Sequence, residues 1–110
     1  MQNDLEEFVA EYFEKQKLQV IRNEGNRKYI HLVITDGKIK LGVHIKDWAK
    51  PLPSSEISNL QEFLSTKEGK SFSGVLLVGR KEYGFAKSTL AAKNNIDEPN
   101  KIQLMIYGRR

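Results

Sequence analysis

The chain holds two histidines, His31 and His44, and a lysine, Lys46, two residues past the second of them. Imidazole changes its charge near neutral pH and takes borderline transition metals, and an ammonium group beside it can hold an anionic oxygen. Two imidazoles with no third protein ligand make an incomplete metal site, so no metal ligand set is read from them. The chain has no cysteine. This excludes a thiolate nucleophile, a zinc–thiolate site and disulfide staples. The chemistry left open is anion binding, with a general-base role beside it.

The element that must position these residues is a β-hairpin from Tyr29 to Lys46. Asp36-Gly37 is a favoured two-residue turn between strands. With that turn, Ile30, Leu32, Ile34, Ile39, Leu41, Val43 and Ile45 share one apolar face. Tyr29, His31, Val33, Thr35, Lys38, Lys40, Gly42, His44 and Lys46 share the other, which a period of two points away from the core. His31 is then expected opposite Gly42, and His44 opposite Tyr29, which makes the histidines diagonal neighbours.

Around the hairpin, Leu5, Phe8, Val9, Tyr12 and Phe13 repeat at helical spacing, which predicts a helix over residues 4 to 15 with Asn3 and Glu6 placed to cap it. Leu18 to Arg22 reads as a short strand and Asn23 to Asn26 as a turn. Pro51 and Pro53 break the chain after Trp48. Ser54 or Ser55 can then cap a second helix with the stripe Ile57, Leu60, Phe63 and Leu64, closed by Glu68-Gly69-Lys70. The unbroken Val75-Leu76-Leu77-Val78 within Gly74 to Gly79 predicts a strand covered on both faces. Residues 82 to 94 read as a third helix and Lys101 to Tyr107 as a last strand. The order α-β-β-β-α-β-α-β, antiparallel first and with helical crossovers later, predicts an α/β fold with a mixed sheet flanked by helices. At 110 residues the expectation is one domain over 1–110.

Charge bounds the partners. Eighteen basic residues against fourteen acidic ones give +4, a mild lean toward polyanions. The acids crowd the first fourteen residues, and Arg22, Arg27, Lys28, Lys38, Lys40, Lys46 and Lys50 load the hairpin and its approaches. No run approaches the roughly 18 apolar residues of a membrane span, and the expectation is a cytoplasmic protein without a membrane partner.

The element order, with Ile30-His31-Leu32-Val33-Ile34, the Asp36-Gly37 turn, Val43-His44-Ile45-Lys46 and Asp47-Trp48, resembles the restriction-endonuclease-like superfamily and its Mrr-like branch. Gly79 and the helix from Phe85 to Asn94 resemble its downstream part. In that family the hairpin carries an aspartate on its first strand, then a glutamate or glutamine and a lysine flanking one residue on its second, and the opening helix often adds a glutamate. The resemblance places His31 at the aspartate position, His44 at the glutamate position, Lys46 at the lysine, and Glu7, or else Glu11, at the helix acid. Cleavage in the family relies on Mg²⁺, a hard ion that needs oxygen ligands. Imidazoles in place of both hairpin carboxylates imply a catalytic centre that has decayed.

The expected function is therefore nucleic-acid binding, DNA first, through phosphates, by Lys38, Lys40, Lys46, Lys50, Arg80 and Lys81, with no cofactor. A homodimer, or a nuclease or helicase partner, is the assembly that the resemblance implies. One alternative is an active nuclease using Mg²⁺ or Mn²⁺ with Glu7, Lys46, His44 and a glutamate displaced to Glu56 or Glu62. Another is a protein-interaction module on the same fold. Trp48 is read as a core anchor more readily than as a base-stacking platform.

Overall fold

A computed structural model describes residues 4–22, 28–96 and 98–107. The expected Asn3 cap and the Asn23–Asn26 turn lie outside the described residues. The elements are helix α1 (Asp4–Lys15), strands β1 (Gln19–Arg22), β2 (Leu32–Thr35) and β3 (Lys40–Lys46), helix α2 (Ser55–Leu64), strand β4 (Gly74–Arg80), helix α3 (Lys87–Asn94) and strand β5 (Ile102–Tyr107). The five strands form one mixed sheet in the order β1-β2-β3-β4-β5. β1, β2 and β3 pair antiparallel, and β3, β4 and β5 pair parallel. The α/β class, the element order and the mixed sheet flanked by helices are those expected from the sequence. No helix among the described residues is long and apolar enough to cross a membrane.

Parallel strands joined edge to edge need crossovers, and two crossovers of the same hand put α2 and α3 on one face of the sheet. α1 covers the other. Its Leu5, Val9, Ala10 and Phe13 pack on Leu32, Ile34, Val43, Ile45 and Val78. On the opposite face, Ile57, Leu60 and Phe63 of α2 pack with Ile30, Val33, Phe72, Val75, Leu77 and Ile102. Burying both faces of β3 and β4 is what a parallel pair requires.

That second layer corrects the expectation that the hairpin's histidine face points away from the core. Val33 and His44 on that face are 1% and 5% exposed. An alternating pattern in a strand does not reveal that a crossover helix lies over its polar side. Two apolar residues also change places. Ile39, expected in the core, lies in the turn and is 49% exposed, while Ile30 packs on the α2 side. Gly42 makes room for Ile30, because a Cβ there would collide with Ile30 Cδ1.

The turn is longer than the dipeptide suggests. Thr35 pairs with Lys40, leaving Asp36 to Ile39 as a four-residue loop. The Asp36 carboxylate accepts from Lys38 N–H and Ile39 N–H at 2.9 and 3.0 Å, and Gly37 takes a positive φ of 96°. An Asx turn followed by further residues satisfies the loop's donors better than a two-residue turn would. The register accordingly shifts by two, to Val33↔Gly42 and Leu32↔Val43. His31 is therefore not opposite Gly42. α3 also starts five residues later than expected, at Lys87. Gly84, at φ 63°, breaks any helix over 82–86, and Phe85 bridges to Leu52 instead.

Candidate functional site

β3 carries His44 and Lys46 on the same side, facing the start of α2, where Glu56 sits in the first turn. Glu56 lies four and seven residues before Leu60 and Phe63, so helical spacing places it on the buried stripe of α2. It is 4% exposed. His44 Nε2 is 3.6 Å from Glu56 Oε1, and Lys46 Nζ is 3.8 Å from Oε2. Both approaches exceed hydrogen-bond length, so they act through charge and dipole. Burial pushes the Glu56 carboxyl up, but His44 and the Lys46 charge outweigh it and hold the carboxyl below its ordinary value. The N-terminus of α2 favours the same ionised form.

The two histidines stack, with ring centroids 4.9 Å apart and planes 23° from parallel. Their hydrogen bonds put a proton on one Nδ1 and none on the other. The Tyr29 carbonyl can only accept, so His44 Nδ1, 2.6 Å away, carries a proton. Ile45 N–H donates to His31 Nδ1 at 2.8 Å, so that nitrogen is bare. The His31 ring thus takes a place that a backbone carbonyl holds in a regular ladder, and His31 N–H donates to Val43 O at 2.8 Å. His44 Nε2 is buried with no hydrogen-bond partner, facing the Glu56 carboxylate.

The donor set does not fit the Mg²⁺ or Mn²⁺ of the rearranged-nuclease alternative. His31's accepting nitrogen is engaged by Ile45, and the carboxylate oxygens that meet His44 and Lys46 among the described residues are those of Glu56, each within 4 Å of one of them. Hard cations need more oxygen ligands than that. Among the described residues no group of three His, Asp or Glu side chains could hold a metal. Glu7 lies apart from the cluster. α1 covers the opposite face of the sheet, and there Glu7 bonds Arg22 at 3.3 Å, with Glu14 holding the same guanidinium at 3.1 Å. Glu11 is exposed on the same helix. Glu62 is exposed as well, its place six residues beyond Glu56 carrying it off the buried stripe.

The six basic residues named for phosphate contact fall into two groups. Lys38 is in the hairpin loop and Lys40 starts β3, with its Nζ 4.7 Å from the Phe72 ring centroid. Lys46 ends β3, about 20 Å farther along an extended strand. Lys46, Lys50, Arg80 and Lys81 gather at that far end, because the parallel pairing Lys46↔Gly79 sets the ends of β3 and β4 side by side. Lys46 and Lys50 lie 4.9 and 4.8 Å from the Trp48 ring centroid. Arg80 bonds Asp47 at 3.2 Å, with Glu82 at 3.8 Å and the Tyr83 ring at 5.3 Å. Trp48 packs on the core, in the anchoring role expected first, and the two ammonium groups approach its ring.

No family model matches the chain, and no curated protein matches it. Among solved structures, the protein of unknown function AF1548 is similar, with a TM-score of 0.74 and 12% sequence identity over 96% of this chain. The match covers 58% of that protein, so this chain spans little more than half its length. At such identity the likeness establishes the fold alone.

Proposed function

We propose that this domain binds nucleic acid, DNA first, through backbone phosphates at the end of the sheet where β3 and β4 finish, and that it does so without metal-dependent cleavage. One observation carries the reading. Lys46, Lys50, Arg80 and Lys81 meet there beside the aromatic rings of Trp48 and Tyr83. In parallel sheets the carboxyl ends of the strands are where ligands bind. Ammonium and guanidinium groups position phosphates with little regard to sequence, and exposed rings offer stacking to unpaired bases. Glu56 supports the non-cleaving half of the reading, because the Lys46 ammonium and the His44 ring already face its carboxylate inside the fold.

The test incubates the protein with labelled duplex, single-stranded and branched DNA, with and without Mg²⁺ or Mn²⁺, scoring shift and cleavage on the same samples. The expected result is a shift that weakens as salt rises, with substrate intact. Metal-dependent cleavage abolished by Lys46→Ala would replace this reading with the rearranged nuclease. No shift on any substrate would remove nucleic acid as the partner.

A further inference from the structure

We infer that Thr89 is a positioning residue, whose hydroxyl clips the loop after β3 to the loop after β4 so that the cations of both loops stand as one surface. The clip is a property of the fold, and only its effect on binding rests on the nucleic-acid reading. Trp48 and Lys50 lie in the first loop, residues 47–54, and Lys81 and Tyr83 in the second, residues 81–86. Neither loop belongs to a strand or helix that would fix it, so its place depends on where its backbone groups find partners. In the first loop those partners are concentrated at Leu52. Pro51 and Pro53 on either side of it have no N–H, and the ring of Pro53 favours an extended backbone at Leu52. Leu52 is thus the one donor among residues 51–53, in the extended form that a bridge to a second segment needs.

Three bonds meet there. Leu52 N–H donates to Gly84 O at 3.1 Å, Ala86 N–H donates to Leu52 O at 3.1 Å, and the Thr89 hydroxyl donates to the same Leu52 carbonyl at 2.5 Å. The first two form an isolated parallel bridge between Leu52 and Phe85, with no ladder beyond it to hold it shut. The third ties that bridge to the first turn of α3. Thr89 carries the only buried hydroxyl among the described residues, with no exposed surface. A valine would fill the same space, and what the hydroxyl adds is the bond. Leu52 is itself 1% exposed and packs in the core on the α2 side, so the clip is anchored at both ends. Gly84, at φ 63°, makes the turn that brings its carbonyl to Leu52 N–H. With the clip closed, Lys50 and Lys81 are held in place before a phosphate arrives, and less ordering is left to do on binding.

The test compares Thr89→Val, Thr89→Ser and Gly84→Ala with wild type by hydrogen exchange of the Leu52 and Ala86 amides, with β4 amides as the internal reference, and by DNA affinity of the folded fraction. Thr89→Val is expected to speed exchange at Leu52 and Ala86 by about tenfold while β4 is unchanged, and to weaken DNA binding by about threefold or more although no charge is lost. Gly84→Ala should do the same from the other side of the bridge, and Thr89→Ser, which keeps the hydroxyl, should stay near wild type. Exchange that is unchanged in Thr89→Val, or that rises equally in β4, overturns the clip. Local opening with wild-type affinity overturns the positioning role. If Thr89→Val fails to fold, Gly84→Ala decides by the same two readouts. A wild type that binds no DNA defeats the nucleic-acid reading alone, and the exchange comparison then decides the clip.

Discussion

The two faces of the central sheet are both buried and are built to different rules. Under α1, Leu32, Ile34, Val43, Ile45 and Val78 meet Leu5, Val9, Ala10 and Phe13, with Glu6, 7% exposed, the one buried charged side chain among the described residues of that helix. Under α2, an apolar floor of comparable size is interrupted at one end by His31, His44, Lys46 and Glu56. Removing a carboxylate and an imidazole from water costs several kcal/mol unless they are paired, and a well-packed apolar replacement is often at least as stable. One face is accordingly the chain's stabilising layer. The other gives up stability to hold a charged cluster at the end of the parallel strands, where the proposed phosphate contacts lie.

The sharpest way to break this contrast is on the apolar face. Ile45→Ala, at a side chain 4% exposed, is expected to cost about 2–5 kcal/mol in denaturant unfolding, while DNA affinity of the folded fraction stays unchanged. A comparable loss of affinity would show that the faces are not separate in role. Next in size, Glu56→Ala leaves His44 and Lys46 without their carboxylate and is expected to cost about 1–3 kcal/mol. The pH dependence sharpens the attribution. Because the folded Glu56 carboxyl lies below its ordinary 4.5, its contribution is present above that value and is lost as pH falls through the folded pKa. The stability gap between wild type and Glu56→Gln should therefore narrow below about pH 4.5. A gap that is constant from pH 7 to 3 would mean that packing, not charge, accounts for it. Gly42→Ala should cost about 1 kcal/mol in thermal unfolding, because the atom its Cβ meets, Ile30 Cδ1, is the tip of a side chain that can turn aside. A loss of several kcal/mol would show that the packing around Ile30 leaves that tip no room. The smallest effect on stability is that of Lys46→Ala, within about 1 kcal/mol for a partly exposed pair.

Much of this was legible in the residues. The stripe of α1, the buried β4 run and the two-face sorting of the paired strands follow from spacing, and a register slip of two residues leaves those faces intact because the strand period is two, Ile30 and Ile39 outside the pairing being the exceptions. Three things were not legible. The Asp36 Asx turn, which lengthens the loop, depends on side-chain bonds that a dipeptide rule does not count. The burial of His44 depends on α2, which begins eleven residues later in the chain. The separation of Lys38 and Lys40 from Lys46 follows from strand length, which a list of basic residues hides. Glu56 had a signal of its own, an acid in register with Leu60 and Phe63, and it stood in the sequence reading only as a displaced family glutamate. Glu7 took its place there from the resemblance alone, and α1 carries it to the wrong face.

The most direct test of the central claim compares the two ends of β3. DNA binding is measured across a salt series for Lys46→Ala/Lys81→Ala and for Lys38→Ala/Lys40→Ala. If phosphates are held where β3 and β4 end, the first pair lowers affinity and reduces the salt slope by about 2, at about 1 per lost phosphate contact, while the second leaves both nearly unchanged. Equal losses from the two pairs, or a loss only from the second, would contradict it.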